Sequence, residues 1–354
     1  MKKIATIIGA RPQFVKMALV SRELRSRNIS EVVIHTGQHY DKCMSGIFFK
    51  ELKIRRPDYN LGVGSAAHGE QTARMLMGIE KVLAKEKPDI VLVYGDTNST
   101  LAGALAAAKL NITVGHVEAG LRSYNKRMPE EINRIAADSV SGLLFCPTKT
   151  AVANLEKEGR RKGVYLVGDV MYDSIKKYRR AIDKAGLPGT AGSGILCTIH
   201  RAENTDDPSN LRQIFAGLAK LGREVLIPLH PRTAGFLKKY GIKVSRNIRL
   251  IKPVGYIEML KLEKNASVII TDSGGVQKEA FIFGVPCVTL RNETEWVETV
   301  RGGMNVLTGV SGEKLAKAVK GAVAAPRRHI DPEKAYGNGT AHKKIVDILE
   351  KYKE

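Results

Sequence analysis

Cysteine is scarce and scattered in this 354-residue chain. Cys43, Cys146, Cys197 and Cys287 form no CxxC pair and no Cys/His spacing of the kind that holds zinc. Three of the four fall in strand-like apolar runs, where a buried reduced thiol is expected and a disulfide framework is not. Long apolar runs are missing too, and nothing approaches the roughly 18 residues of a membrane span. The opening MKKIATIIGARP reads as a first β-strand rather than a signal peptide, because IATIIGA is short and carries no cleavage pattern. A cytoplasmic protein is therefore expected. No GxGxxG follows a strand and no GxxxxGKS/T is present, which argues against nicotinamide chemistry and ATP hydrolysis. Aromatics make up only 6% of the chain, and no nucleic-acid-binding motif is visible. The net charge of +21 is spread over most helices, which points to solvated faces and a small anionic ligand rather than a nucleic-acid surface. Low-complexity tracts and short-period repeats are also lacking.

What is present is alternation. Strand-like runs at Lys3–Ile8, Val32–Thr36, Ile90–Tyr94, Thr113–Val117, Leu143–Cys146 and Val164–Val167 are separated by helical patterns such as Gly69–Glu86 and Ser99–Leu110. After a helix near Tyr172–Ala185 comes GLPGTAGSG, whose Gly, Pro and Ser content reads as a linker. The alternation then resumes with strands at Ile195–Ile199, Val225–Pro228, Val268–Thr271 and Cys287–Leu290. Helices are expected at Asn210–Leu221, Ile257–Asn265, Val276–Phe283 and Glu313–Val323. Strands alternating with helices at this spacing imply βαβ units and parallel sheets. The expected fold is α/β: two Rossmann-like doubly wound domains with a cleft between them. The first domain should span residues 1–170, with a last helix near residues 340–354 packing back onto it. A linker region covers residues 171–193, and the second domain residues 194–339.

Three acids stand out against the basic background. Asp96 in VLVYGDTNST and Glu118 in VGHVEAGLRS follow strand-like runs, and Glu130 in RMPEEINR opens a helix behind Pro129. Open α/β sheets bind ligands outside the carboxyl ends of their strands, where converging carboxylates can move protons. Taken singly, Asp96 reads equally as a helix cap and Glu130 as a first-turn charge paired with Arg134. Glu118 has no such simple role. In the second half, TDSGGVQKEA carries a strand through a tight turn into a helix whose amide end suits a diphosphate. Ser273, Gly274 and Gly275 form that turn, with Glu279 one turn further on, within reach of a ribose hydroxyl pair. GARP places Arg11 at the end of the first strand, where a guanidinium can grip phosphate. TIHRAEN and PLHPR set His200 and His230 just beyond strands, ahead of polar loops. GQHYD puts Gln38 and His39 in a third such loop. No ligand spacing accompanies these histidines, so no metal is expected.

Together, GARP, GQH, YGDTNST, HVEAGLRS, PEEINR, THRAEN-like IHRAEN, LHPR, TDSGGVQKEA and LRNETEW occur in one order over nearly the whole length. The chain thereby resembles the non-hydrolysing UDP-N-acetylglucosamine 2-epimerases. The resemblance implies the glycosyltransferase-B fold, a homodimer, and interconversion of UDP-GlcNAc and UDP-ManNAc through a 2-acetamidoglucal without a cofactor. It makes Asp96, Glu118 and Glu130 the catalytic acids and bases and His200 a supporting group. Arg11, Arg134, His230, Ser273, Gly274 and Gly275 would bind substrate, and Glu279 the ribose. Gln38, His39 and His230 match positions that line an effector site in some bacterial members. Gln13, Ala202 and Asp41 depart from the family's usual Glu, Arg and Gln; the last two depart from the allosteric pattern. Related readings are an epimerase of a 2,3-diacetamido uronic acid derivative and a glycosyltransferase of the same fold.

Overall fold

The structure is a computed structural model that describes residues 2–38, 49, 51–187, 194–324 and 330–353. The chain forms two compact units, Met1–Lys177 with Glu333–Glu354, and Tyr178–Pro332.

Seven parallel strands make up the sheet of the first unit: β1 (Lys3–Ile8), β2 (Ser30–His35), β3 (Tyr59–Asn60), β4 (Ile90–Tyr94), β5 (Thr113–Val117), β6 (Leu143–Cys146) and β7 (Val164–Leu166). Their order is β3-β2-β1-β4-β5-β6-β7. The runs KIATII and IVLVY are almost uninterruptedly apolar because both faces of the sheet are covered by helices. Val91 and Val93 pack with Ile79 and Leu83 of helix His68–Glu86 and with Ala102, Ala104 and Ala106 of helix Asn98–Lys109. Those alanines leave room for close helix packing and cost no side-chain entropy. The last helix, Ala341–Lys351, lies against helix Arg11–Ser26, with Arg27 paired to Asp347 at 2.5 Å and Glu350 at 3.1 Å.

In the second unit, β8 (Ile195–Thr198), β9 (Val225–Pro228), β10 (Ile248–Ile251), β11 (Val268–Thr271), β12 (Cys287–Thr289) and β13 (Asn305–Leu307) are parallel in the order β10-β9-β8-β11-β12-β13. Both sheets therefore repeat one pattern: the strand order reverses between a unit's first and fourth strands, and ligands bind at that reversal in such folds. In the first unit it brings together the residues after β1 and β4, Gly9–Arg11 and Gly95–Asp96. In the second it brings together those after β8 and β11, His200 and Asp272–Ser273. Cys146, Cys197 and Cys287 are buried on β6, β8 and β12, and burial raises each thiol above its ordinary range. No helix among the described residues is long and apolar enough to cross a membrane.

Candidate active site

At the end of β1 the chain must turn tightly. A Cβ on Gly9 would overlap the hydroxyls of Ser99 and Thr36, which bond each other at 2.8 Å. Gln13 locks this turn to β4. Its Oε1 accepts from the Gly9 and Ala10 amides at 2.7 and 2.9 Å, and its Nε2 donates to the Tyr94 carbonyl at 2.8 Å. An amide accepts and donates at once, which an ionised glutamate cannot do here. Arg11 begins the following helix, and Gln38 Oε1 accepts from the Ser99 hydroxyl at 2.7 Å beside the same turn. His39 and Asp41 lie outside the described residues.

Beyond β4, Gly95 sits at φ +63°, and a Cβ there would meet the Lys16 ammonium at 2.7 Å. Both constraints demand glycine. The buried Lys16 reaches across to Glu118, Nζ to Oε1 2.5 Å. Glu118 itself holds φ +76° directly after β5. A non-glycine residue in the left-handed region is uncommon and costs of order 1 kcal/mol or more, a strain that clusters at functional sites. Asp96 pairs with Arg134 Nη2 at 2.8 Å. It does not cap the next helix: that helix starts at Asn98 with Thr97 as N-cap. Burial raises the Asp96 carboxyl above its ordinary range, Arg134 and Lys16 oppose the rise, and Glu130 and Glu118 add to it. One cluster therefore joins Lys16, Asp96, Glu118, Glu130 and Arg134.

The two adjacent glutamates of PEEINR divide their work. Glu131 is fully buried and accepts from the Ser123 amide and hydroxyl at 2.9 and 3.0 Å and the Tyr124 amide at 2.8 Å. It also pairs with Arg134 Nε at 3.3 Å. Glu130 is left half-exposed within the field of Asp96. Arg134 Nε also donates to the Glu130 backbone carbonyl at 3.2 Å.

A second buried network stands behind Glu118. His116 bonds Asp138 through Nδ1 and the Gly95 carbonyl through Nε2, both at 2.7 Å. Asp138 also accepts from the Gly120 amide at 3.1 Å and Arg122 at 2.7 Å. One carboxylate thus ties the Gly95 and Gly120 turns to a single helix.

In the second unit, Ser273 caps helix Gly274–Phe283, accepting from the Val276 amide. Asp272 is fully buried and serves the neighbouring loop instead. It accepts from the His200 and Arg201 amides at 3.0 Å each and from Asn204 Nδ2 at 3.1 Å. That clamp fixes His200, whose ring lies 5.4 Å from that of His230. His230 also caps a helix, its Nδ1 accepting from the Arg232 amide at 3.2 Å. A Cβ on Gly274 would overlap Glu295, which pairs with the buried Arg291 at 2.9 Å. Glu279 lies one turn into the helix and is buried.

Of the expected residues, the first unit gathers Arg11 and Gln38 at one turn and Asp96, Glu118, Glu130 and Arg134 in one cluster. The second unit brings His200 beside His230 and sets Ser273, Gly274, Gly275 and Glu279 along one helix start. Sequence reasoning missed Lys16, Asp138, Asp272 and Arg291, and read Gln13 only as a departure from the family pattern. Lys16 stands inside the apolar run FVKMALV, where a charged residue was the available signal; Asp138, Asp272 and Arg291 each have a polar neighbour and carried no such signal. No group of three or more His, Cys, Asp or Glu among the described residues could hold a metal ion.

The family model described as UDP-N-acetylglucosamine 2-epimerase matches residues 22–350. A UDP-N-acetylglucosamine 2-epimerase homolog of Methanococcus maripaludis is 52% identical, covering 98% of this chain and 99% of the relative. The UDP-2,3-diacetamido-2,3-dideoxy-D-glucuronate 2-epimerase of Pseudomonas aeruginosa is 50% identical, with 99% of each chain covered. The crystal structure of Methanocaldococcus jannaschii UDP-GlcNAc 2-epimerase, in complex with UDP-GlcNAc and UDP, superposes with a TM-score of 0.93 at 44% identity, covering 98% of this chain and 99% of that one. Two parallel-sheet α/β units of the glycosyltransferase-B type are thus shared with solved epimerases. On this match the chain belongs to the UDP-N-acetylglucosamine 2-epimerase family and is an isomerase.

Proposed function

We propose that this enzyme interconverts UDP-GlcNAc and UDP-ManNAc by eliminating and re-adding UDP, as a homodimer in the cytoplasm. The reading is carried by the gathering of three carboxylates and two cations where the strand order of the first unit reverses. The C2 proton of the sugar is weakly acidic, so its removal accompanies departure of UDP. A carboxylate takes the proton, the C–H electrons form a C1=C2 bond, and the C1–O bond breaks with its electrons leaving on UDP. Reprotonation of C2 on the opposite ring face and return of the diphosphate oxygen to C1 give the epimer, with no net oxidation. Inversion needs proton-carrying groups on both faces, which Asp96, Glu118 and Glu130 supply. Burial raises the Asp96 carboxyl above its ordinary range, which favours its protonated form over that of a solvated carboxylate. His200 supports the sugar. The helix end at Ser273, Gly274 and Gly275 takes the developing charge of the leaving diphosphate. Arg11 is a phosphate-binding group. Glu279 holds the ribose, and Arg134, His230, Gln38 and His39 belong to the substrate and effector contacts.

NMR of the purified enzyme with UDP-GlcNAc in deuterated water is expected to report deuterium at C2 and the appearance of UDP-ManNAc with no added cofactor. Sugar passed to an acceptor without exchange at C2 would indicate a transferase instead. The same experiment with UDP-2,3-diacetamido-2,3-dideoxyglucuronate tests the second reading, which the 50% identity to the Pseudomonas enzyme favours. Faster exchange on that sugar would reassign the substrate. Sedimentation at equilibrium checks the dimer.

The cations around Asp96 also set a pH dependence. Arg134 lowers the Asp96 carboxyl, so Arg134→Met is expected to move the limb of the kcat/KM profile that reports Asp96 to higher pH. A limb that stays in place would separate Asp96 from the rate-determining ionisation.

A further inference from the structure

Arg134 pairs with the Asp96 carboxylate, but a different side chain holds the Asp96 backbone. Asn133, one residue earlier on helix Pro129–Val140, donates from Nδ2 to the Asp96 carbonyl at 2.9 Å. The other Nδ2 hydrogen goes to Asn98 Oδ1 at 3.1 Å. Asn98 is the first residue of helix Asn98–Lys109, and its Nδ2 donates in turn to Gln71 Oε1 at 2.8 Å. Gln71 lies in the first turn of helix His68–Glu86 and donates from Nε2 to the Gly64 carbonyl at 2.7 Å. All three amides are buried. A row of carboxamides thus runs across the N-terminal ends of three helices packed side by side, from the Gly64 loop to the turn that carries Asp96.

The row has a direction, set at both ends. The Gly64 and Asp96 carbonyls can only accept, so Gln71 and Asn133 must each turn an NH2 group towards them. Gln71 is left to offer Oε1 to Asn98, and Asn98 to offer Oδ1 to Asn133. Reversing the middle amide would set oxygen against oxygen and NH2 against NH2 in a buried place, where unmade hydrogen bonds are costly. The second Asn98 hydrogen points to His68 Nδ1 at 3.1 Å, which makes that nitrogen an acceptor.

We propose that Gln71, Asn98 and Asn133 are positioning residues for Asp96, a one-way amide relay that fixes the backbone of the acid while Arg134 holds its carboxylate. The inference rests on the reading of Asp96 as a proton-carrying group. None of the three amides ionises, so the relay restrains the turn without adding charge to the field at the carboxylate. Asn133 and Arg134, consecutive on one helix, thereby divide the placement of Asp96 from the setting of its charge. Placement counts here, because a displacement of about 1 Å at a reacting group costs on the order of a hundredfold in rate.

Asn133→Ala releases the Asp96 carbonyl. With UDP-GlcNAc, N133A is expected to lower kcat about ten- to a hundredfold and to leave KM within about threefold of wild type. Gln71, at the far end, reads the direction of the relay. Q71E keeps the oxygen into which Asn98 donates and loses only the bond to Gly64, so its kcat should stay within about threefold of wild type. Gln71→Met removes that oxygen as well, frees Asn98 to turn, and should lower kcat about tenfold. Each rate is read below the melting transition of its variant. Independently of turnover, the carbon-13 carboxyl resonance of Asp96, identified by its absence from D96N, should move in N133A and in Q71M.

A wild-type kcat in N133A, or an Asp96 resonance that does not move in it, overturns the proposal and leaves the amides a structural role. Equal kcat values for Q71E and Q71M overturn the direction of the relay. Undiminished turnover by D96N removes the acid reading of Asp96, while the resonance in N133A reports on its own whether the relay holds the turn.

Discussion

Replacing Glu118 by glutamine is expected to lower kcat about a hundred- to ten-thousand-fold, the range over which general acid–base groups act, with UDP affinity nearly unchanged. The side chain sits on a strained backbone, φ +76°, and its oxygen is held at 2.5 Å by Lys16, so its position is imposed by the fold. Glutamine keeps the shape and can still accept from Lys16, yet it cannot take a proton from carbon. The loss of charge has a separate structural consequence. A buried ammonium is left without its counter-ion, which costs about 3–5 kcal/mol when one partner of such a pair is removed. Stability and chemistry can be pulled apart by adding Lys16→Met. The double variant K16M/E118Q should regain much of the lost stability and none of the activity. Turnover by the stable double variant, or loss of UDP binding by E118Q alone, would assign Glu118 a folding role instead.

The strands that position this site were legible because both sheets are parallel and covered on both faces, so each central strand is a continuous apolar run. Lys3–Ile8, Ile90–Tyr94, Thr113–Val117 and Val268–Thr271 stand where their composition puts them. Of the four edge strands, β7 was legible and the other three were not. β3 is two residues long, β10 is interrupted by Arg249, and β13 begins at Asn305, whose amide turns inward to Gln277 and Thr299. An edge strand is half solvated, and its apolar signal fades accordingly. The acids could be found because a carboxylate after an apolar run is conspicuous. Lys16 could not, because it lies on an amphipathic helix where a cation ordinarily faces water, and Arg134 was read as a partner of Glu130 rather than of Asp96. Nor does sequence divide Glu130 from Glu131. That depends on helix phase: one residue of rotation carries Glu131 under the Ser123–Tyr124 loop and leaves Glu130 beside Asp96.

Asp138→Asn should produce the largest loss of stability, because the carboxylate unites two catalytic turns rather than merely filling space. Its oxygens accept from His116, Arg122 and the Gly120 amide, and Arg122 is in turn held by Glu158 at 2.6 Å. Burial alone would raise this carboxyl, but His116 and Arg122 outweigh it and hold it below its ordinary value. The contribution is accordingly present above the unfolded carboxyl value, about 3.9, and disappears as pH falls through the folded one. Asparagine removes the charge and presents a donor where acceptors were needed, leaving Arg122 undercompensated at 2% exposure. The expected cost is about 3–5 kcal/mol, which for a unit of this size lowers its melting transition by roughly 10 °C. Below the wild-type carboxyl range the difference between variant and wild type should shrink, since the native network is then protonated as well. At temperatures where D138N is still folded, kcat should fall about tenfold or more, because misplacing a catalytic group by an ångström carries costs of this order. His116 would no longer hold the Gly95 carbonyl in line with β5, and Glu118 and Asp96 would lose their common frame. A variant that melts early but turns over at the wild-type rate when folded would confine Asp138 to stability, and would leave Lys16 and Arg134 as the groups that fix the acids.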